Sequence, residues 1–185
     1  MEEKCKRVKT ASPLHSAQVK WRMREIWKPN VTVAAVVELN GSYLMIEEET
    51  RDGLKLNQPA GHLEPCESPF QAVIREASEE TMRDFVPVGL LGIYMSRFKP
   101  SSIPPASADV TYLRFAFVGT VGEPIAGRRY DAGIVRTLWM TIDEVRASAD
   151  RHRSPLVLRC VEDHAGGKAL APLDTIYLDP SVCAQ

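Results

Sequence analysis

Cysteine is scarce in this chain of 185 residues, and its cysteines stand far apart: Cys5, Cys66, Cys160 and Cys183. No two of them form a C-x-x-C pair, so the spacing argues against a disulfide-framed domain and against a cysteine zinc site. We interpret them as reduced thiols. Because reduced thiols are typical of the cytosol, we expect a cytoplasmic protein.

Long apolar runs and an excess of charge of one sign are also lacking. No apolar stretch approaches the roughly 18 residues that a membrane-spanning helix needs, and residues 1–18 contain no apolar segment typical of a secretory signal. The formal net charge is −1, which provides no bulk attraction to nucleic acid or to anionic lipid. We therefore expect a small-molecule ligand, with neither nucleic acid nor membrane as a partner, and a monomer or homodimer.

The composition predicts one domain. A hydrophobic content of 44% in 185 residues is enough for a single core, and no internal repeat is visible. We place the domain at residues 29–178, with an N-terminal extension at 1–28 and a tail at 179–185. The extension is polar and mixed in charge. It is either loosely ordered, with a short helix around residues 19–26, or a start-site artefact with Met23 as the alternative start.

The clearest start of a helix lies at Ser68. Serine can cap a helix N-terminus, Pro69 suits the first helical position, and Gln71 stands where it can complete a capping box. Apolar residues then recur at helical spacing and predict a stripe facing a core: Phe70, Val73, Ile74 and Ala77.

Glu76, Glu79 and Glu80 occupy another face of this helix, because residues three and four positions apart are neighbours on a helix surface. Carboxylates packed together repel one another. A hard divalent cation that prefers oxygen ligands, such as Mg²⁺, would offset that repulsion. The alternative is a solvated acidic face that Arg75 and Arg83 neutralise.

A longer pattern surrounds these glutamates, and six residues fall at one fixed spacing: Gly61, Glu67, Arg75, Glu76, Glu79 and Glu80. The spacing resembles the Nudix box, G-x5-E-x7-R-E-U-x-E-E-x-G-U, in which U is a bulky aliphatic residue. The resemblance implies a hydrolase of phosphoric anhydride bonds and an α/β fold, the Nudix α/β/α sandwich with a mixed β-sheet. It also implies Mg²⁺ as the cofactor, with Mn²⁺ able to substitute.

Roles for individual residues follow from the same resemblance. It implies four metal ligands: the carbonyl of Gly61 and the carboxylates of Glu76, Glu79 and Glu80. Arg75 would hold the glutamates by paired hydrogen bonds, and Glu67 would support the ligands from outside. The general base is Glu76 or Asp131. Asp131 lies where several Nudix branches place an acidic residue that reaches the metals, but it equally suits a turn.

The end of the box departs from the family. Met82 stands where the family has glycine, Arg83 stands where it has an aliphatic residue, and Ala77 is a small occupant of the first U position. Such a glycine normally ends a helix in the left-handed conformation. Because methionine and arginine are good helix formers, we predict that this helix continues past Met82 and shifts the following loop.

Strands on both sides of this helix predict a mixed sheet between helical layers. The predicted strands are residues 31–39, 42–48, 86–96, 110–121 and 134–140, with a hairpin turn at Asn40-Gly41. Further helices are predicted to begin at Thr141, with a capping box, and after Ser154-Pro155. The proline- and serine-rich connection at residues 97–109 is long, which is typical of a functional lid or a disordered loop.

Three other stretches, residues 57–64, 113–115 and 153–157, resemble the NudJ-type branch of bacterial Nudix phosphatases, although Leu56 stands where that branch usually has tryptophan. The candidate substrate-binding residues are Asn57, Gln58 and Arg114. Asn57 and Gln58 can read a ring edge or simply cap a strand end. Arg114, in an apolar strand, either binds phosphate or faces outward, since burying it unpaired is costly.

Three functions remain open. The first is a Mg²⁺-dependent phosphohydrolase of nucleoside tri- and diphosphates and of small diphosphates such as hydroxymethylpyrimidine diphosphate. The second is a pyrophosphatase of ADP-ribose, dinucleoside polyphosphates or oxidised nucleotides. The third is a Nudix-like sensor that binds nucleotide without cleaving it, an alternative that depends on Met82 and Arg83.

Overall fold

Two β-sheets and three α-helices form the part of the chain that the computed structural model describes, residues 27–98 and 110–183. The strands are β1 (Asn30–Val36), β2 (Glu38–Leu39), β3 (Ser42–Thr50), β4 (Gly53–Asn57), β5 (Ala60–His62), β6 (Phe85–Phe98), β7 (Val110–Val121) and β8 (Ile134–Thr141). The α-helices are α1 (Pro69–Thr81), α2 (Ile142–Ala147) and α3 (Leu156–Ala165). The helix predicted around residues 19–26 and most of the connection at 97–109 lie outside the described residues.

The first sheet is mixed, as predicted. Its strand order is β5-β1-β7-β6; β1 runs parallel to β7, and the other two pairs are antiparallel. Thr32 of β1 pairs with His62 on one side and with Arg114 on the other. These three residues therefore form one row across neighbouring strands, although they are far apart in sequence.

The second sheet is antiparallel and contains β2, β3, β4 and β8, with β8 paired to β3. Asn40 and Gly41 have φ values of 51° and 81°, as a two-residue hairpin turn requires, so the predicted hairpin is confirmed. The single strand predicted at residues 31–39 is wrong in one respect. The chain leaves the first sheet after Val36, and β2 pairs instead with β3 of the second sheet.

Both faces of the first sheet are covered, because side chains of a strand alternate between faces. Val33 and Ala35 pack in a cluster with Ala72, Val73 and Ala77 of α1. On the other face, Val36, Leu91 and Ala116 pack with residues of α3: Leu156, Val157, Cys160 and Val161. This arrangement confirms the mixed sheet between helical layers. Ile74, which we predicted to face the core, is 40% exposed, because the buried face of α1 is centred on Ala72, Val73 and Ala77.

The start of α1 is as predicted, but its end is not. Ser68 and Gln71 form the capping box, and Pro69 is the first helical residue. The helix ends at Thr81 instead of continuing, and Met82 adopts the left-handed conformation with φ 59° and ψ 22°. The Met82 N–H donates to the Ser78 carbonyl at 2.9 Å, and the Met82 carbonyl accepts the Ile125 N–H at 2.8 Å. Met82 thus adopts the left-handed backbone conformation that we expected of a glycine at this position of the box.

The later helices match their predicted starts. Thr141 and Glu144 form the capping box of α2. The third helix, α3, runs to Ala165 and is followed by Gly166 at its C-terminus. Among the described helices, none combines the length and the apolar character required to cross a lipid bilayer.

Candidate active site

Arg75 joins the carboxylates of the box. Its Nε and one terminal nitrogen donate to the two oxygens of Glu67 at 3.1 and 2.7 Å, a paired arrangement. Its other terminal nitrogen donates to Glu76 at 2.8 Å and to Glu79 at 3.3 Å, and the guanidinium also reaches the His62 carbonyl at 3.0 Å. These hydrogen bonds lower the pKa of Glu67 and raise that of Arg75, so both groups stay charged. Arg75 therefore joins Glu67, Glu76 and Glu79 in one hydrogen-bonded group.

Glu76 lies directly against Gly61. A Cβ atom built on Gly61 would be 2.0 Å from Oε1 of Glu76, far inside contact distance. Glycine at position 61 leaves the space that this carboxyl group occupies. Burial raises the pKa of Glu76, and the hydrogen bond from Arg75 partly opposes that shift. Gly61 and Glu76 of the box are thus in contact although they are 15 positions apart in the sequence (76 − 61).

Glu80 is the most deeply buried carboxyl group of the cluster, with 8% of its surface exposed. It accepts the Ala60 N–H at 2.7 Å, which connects α1 to β5. Burial, followed by repulsion from Glu76, Glu48 and Asp131, raises its pKa to about 9. In the protein without a cation, this group therefore carries a proton at neutral pH.

The donor set fits a hard divalent cation. The carboxyl groups are buried and repel one another, so a cation that prefers oxygen ligands would stabilise them. Because Gly61 has no side chain, the Glu76 carboxyl group can lie against the backbone of β5. Within residues 27–98 and 110–183, no group of three or more acidic, histidine or cysteine side chains is already arranged to hold a metal ion. Binding of a cation would require Glu80 to lose its proton.

Asp131 lies at the C-terminal end of α1. Its N–H donates to the Glu79 carbonyl at 3.0 Å, and its charge contributes to the raised pKa of Glu80. Its own carboxylate accepts the Ala132 N–H at 2.7 Å, and its carbonyl accepts the Ile134 N–H at 3.1 Å. Asp131 is therefore both a turn residue and a neighbour of the carboxyl cluster.

A cavity of about 610 Å³ opens beside this cluster, between the two sheets. Gly61, which contacts Glu76, is also one of its lining residues. The first sheet contributes Thr32, His62, Ser96, Tyr112 and Arg114; the second sheet and the segment before α3 contribute Glu48, Lys55, Asn57, His152, Arg153 and Ser154. The acidic cluster therefore adjoins a cavity whose walls carry the cationic groups of Lys55, Arg114 and Arg153 and the carboxylates of Glu48 and Asp52.

The three predicted substrate-binding residues have different places. Asn57 and Arg114 line the cavity, whereas Gln58 is fully buried behind it. Gln58 donates to the Val157 carbonyl at 2.7 Å and accepts a hydrogen bond from Arg114 at 3.3 Å. Arg114 is 6% exposed, so the outward-facing alternative is wrong. Arg114 pairs with Thr32 inside the first sheet and forms part of the cavity floor. Burial lowers the pKa of its guanidinium.

Comparison with known proteins agrees with this geometry. The family model for the NUDIX domain matches residues 28–160. The chain belongs to the Nudix family. It is 32% identical over 151 residues to Phosphatase NudJ of Escherichia coli strain K12, covering 82% of this chain and 92% of that protein, and equally so to Phosphatase NudJ of Shigella flexneri. A NUDIX hydrolase structure from Nitrosomonas europaea superposes with a TM-score of 0.73 at 50% identity, covering 82% of this chain and 98% of that one.

Family membership confirms several predictions. The protein is a Nudix hydrolase that acts on phosphoric anhydride bonds of small molecules, and its fold is the Nudix α/β fold. The resemblance to NudJ-type phosphatases is likewise confirmed. Members of this family generally use divalent metal ions, which agrees with the carboxyl-rich donor set of α1.

Some cavity residues were not predicted from the sequence. Glu48 could have been found, because Leu44, Ile46 and Glu48 alternate along one face of β3, and the first two are buried. Thr32 carried no signal, and Ser154 had only its place in the stretch 153–157 that resembles NudJ-type phosphatases. Thr32 is a polar residue in an apolar strand, and Ser154 is equally explained as the residue before a helix. Their place in the cavity follows from the packing of the two sheets.

Proposed function

We propose that the protein is a Mg²⁺-dependent phosphohydrolase that removes phosphate from nucleoside tri- and diphosphates and from small organic diphosphates such as hydroxymethylpyrimidine diphosphate. The supporting observation is that two features meet at Gly61: the carboxyl cluster of α1 and the cavity between the sheets. The NudJ relatives are phosphatases, which supports release of phosphate over other Nudix reactions.

Four groups would hold the ion: the Gly61 carbonyl and the carboxylates of Glu76, Glu79 and Glu80. When bound, the ion would neutralise phosphate oxygens and lower the pKa of a coordinated water. Arg75 and Glu67 would keep the glutamates in position through the hydrogen bonds described above. Glu76 is our first candidate for the general base, by resemblance to family members that use this position; burial raises its pKa and so makes its carboxylate a stronger base. Asp131, beside Glu80, is the second candidate.

The cationic residues of the cavity would orient the rest of the substrate. Lys55 and Arg153 lie on the wall formed by the second sheet and the segment before α3, and Arg114 lies on the floor. Lys55 and Arg153 would attract the phosphate chain into the cavity, beside the carboxyl cluster whose negative charge a cation would offset. Asn57 adds a neutral hydrogen-bonding group beside them.

The test is orthophosphate release from a panel of nucleotides and small diphosphates, with Mg²⁺ and with EDTA. We expect metal-dependent orthophosphate from several compounds. Glu80→Gln should abolish turnover while the melting temperature is retained, because a neutral amide replaces a group that is already protonated without metal. Glu49→Gln, which changes an exposed glutamate near the end of β3, is the matched control and should retain full turnover. Unchanged turnover in Glu80→Gln would rule out this metal site.

Product analysis separates the alternatives. Stepwise orthophosphate supports the phosphohydrolase, whereas nucleoside monophosphate plus a second phosphate-bearing fragment supports a pyrophosphatase of ADP-ribose, dinucleoside polyphosphates or oxidised nucleotides. The sensor alternative rests on Met82 and Arg83, yet the helix ends at Thr81 despite them. We also propose a cytoplasmic location, supported by the free thiols of Cys66, Cys160 and Cys183.

A further inference from the structure

The cavity contains an unusual concentration of buried polar atoms that lack a hydrogen-bond partner. Six buried side-chain atoms in the described ranges have none, and five of them belong to residues that line this cavity: Thr32 Oγ1, Glu48 Oε1, Asn57 Oδ1, Arg114 Nε and Ser154 Oγ. A buried polar atom without a partner is costly, and proteins keep few of them. Five in one cavity indicate a surface that hydrogen-bonds a ligand.

These atoms come from opposite walls. Thr32 and Arg114 are paired residues of the parallel strands β1 and β7. Glu48 and Asn57 belong to β3 and β4 of the second sheet, and Ser154 precedes α3. Thr32, Asn57 and Arg114 are each at least nine-tenths buried, with 5%, 5% and 6% of their surface exposed. A ligand between the sheets would therefore meet hydrogen-bonding groups on both sides.

The free atoms have a defined chemical character. The Asn57 side chain lies beside the Glu48 carboxyl group, and its Oδ1 is an acceptor without a partner. Glu48 Oε1 is a second acceptor; it forms an ion pair with Arg153 Nε at 3.6 Å, a distance that leaves its hydrogen-bonding capacity unused. Arg114 Nε is a donor, held in place by Gln58 on its far side. The cavity thus presents two acceptors opposite a cationic donor.

The same cavity also contains two aromatic side chains. His62 and Tyr112 both line the cavity, and their ring centroids are 6.0 Å apart. Aromatic faces of this kind stack on planar rings, with little preference among them. A volume of about 610 Å³ also lies within the usual range for a pocket that encloses a small ligand.

We propose that Glu48 and Asn57 are specificity-determining residues that select substrates whose head group is a planar heteroaromatic ring bearing an amino group. The amino group would donate to Glu48 Oε1 and Asn57 Oδ1, and a ring nitrogen would accept from Arg114. A ring with an oxo group at the same place would set a carbonyl oxygen against two acceptors and bind more weakly. This inference rests on the proposed function, because it assigns the part of the substrate that is not cleaved.

Binding, measured separately from hydrolysis, tests the proposal. The probes are the α,β-methylene analogues of CDP and UDP, whose sugars and phosphates are identical and whose rings differ in the amino and oxo groups. Isothermal titration calorimetry in Mg²⁺ should give a dissociation constant about tenfold lower for the CDP analogue. Glu48→Gln should abolish or reverse this preference, because an amide N–H₂ can then replace the acceptor. The matched control Glu49→Gln should keep it.

Each result has a definite meaning. A preference for the CDP analogue that Glu48→Gln removes and Glu49→Gln retains supports the proposal. Equal binding of the two analogues, the same preference in Glu48→Gln, or no binding of either at millimolar concentration overturns it. Selective binding without phosphate release would leave this inference standing and refute the proposed function. Phosphate release from CDP and UDP together with equal binding of the two analogues would support the proposed function and overturn this inference.

Discussion

Replacing Met82 with glycine is expected to make the protein more stable than replacing it with alanine, by about 1 kcal/mol. Met82 has φ 59°, in the left-handed region that L-residues with a Cβ atom disfavour by roughly 1–2 kcal/mol. Glycine avoids that cost, but it makes the unfolded chain more flexible, and this loss of stability offsets about 0.5–1 kcal/mol of the gain. The comparison with alanine is needed because both variants lose the partly buried methionine side chain beyond Cβ.

The surrounding contacts explain why the backbone keeps this conformation in either variant. The N–H and carbonyl of residue 82 are held by Ser78 and Ile125, and Arg83 donates to the Gly122 carbonyl at 2.6 Å. None of these hydrogen bonds uses the Met82 side chain. The expected difference between Met82→Gly and Met82→Ala therefore reflects the backbone conformation of one residue.

Thermal and urea unfolding of the two variants measure the difference. For a chain of this length, about 1 kcal/mol corresponds to roughly 2–4 °C in melting temperature. The sign is decisive: if the helix continued through position 82, glycine would be less stable than alanine by about 1 kcal/mol, because glycine disfavours helix interiors. That reversed order would refute the helix end described here. Phosphate release should be the same in both variants.

Three further changes test the site and its support. Arg75→Lys should lower kcat/KM about 10–100-fold without unfolding the protein, since lysine cannot replace the paired hydrogen bonds to Glu67; unchanged activity would contradict the positioning role. Gly61→Ala should abolish phosphate release at nearly unchanged melting temperature, because the new methyl group displaces only the end of Glu76; a fully active variant would refute the contact. Glu47 is buried and forms ion pairs with Arg136 and Arg151, and these hydrogen bonds lower its pKa below the ordinary value of 4.5. The ionised carboxylate therefore stabilises the fold above pH 4.5, and this stabilisation is lost as the pH falls through the lowered pKa of the folded protein. Glu47→Gln should therefore lower the free energy of unfolding by about 1–2 kcal/mol at pH 7, and the urea midpoints of variant and wild type should converge in acid.

Local sequence determined the elements whose causes lie within a few residues. The capping boxes at Ser68 and Thr141 and the turn at Asn40-Gly41 were predicted from neighbouring side chains, and all three are present. The bounds of β7 agree with the prediction, because its apolar run ends at Val121 and is followed by the turn-forming residues Gly122-Glu123-Pro124. The spacing of the box also placed its glutamates on one helix face, since that periodicity is a property of the helix itself.

Tertiary structure decided what depends on distant segments. The end of α1 at Met82 contradicts helix propensity, because hydrogen bonds with Ile125 and Gly122 hold residues 82 and 83 in place. The sequence left open whether Arg114 is buried. In the fold its guanidinium is buried and donates a hydrogen bond to Gln58, which lies between β4 and β5. No local signal could show either contact.

The sequence by itself thus determined the family, the carboxylate helix and its start, because the information for these lies in the spacing along one segment. The cavity beside Gly61 was decided only by the fold. Its walls come from strands of two different sheets, and the pairing of Thr32 with Arg114 brings together residues about 82 positions apart, which is (114 − 32). Side chains so distant in sequence become neighbours only through strand register and the packing of one sheet against the other, and neither is encoded in a local pattern.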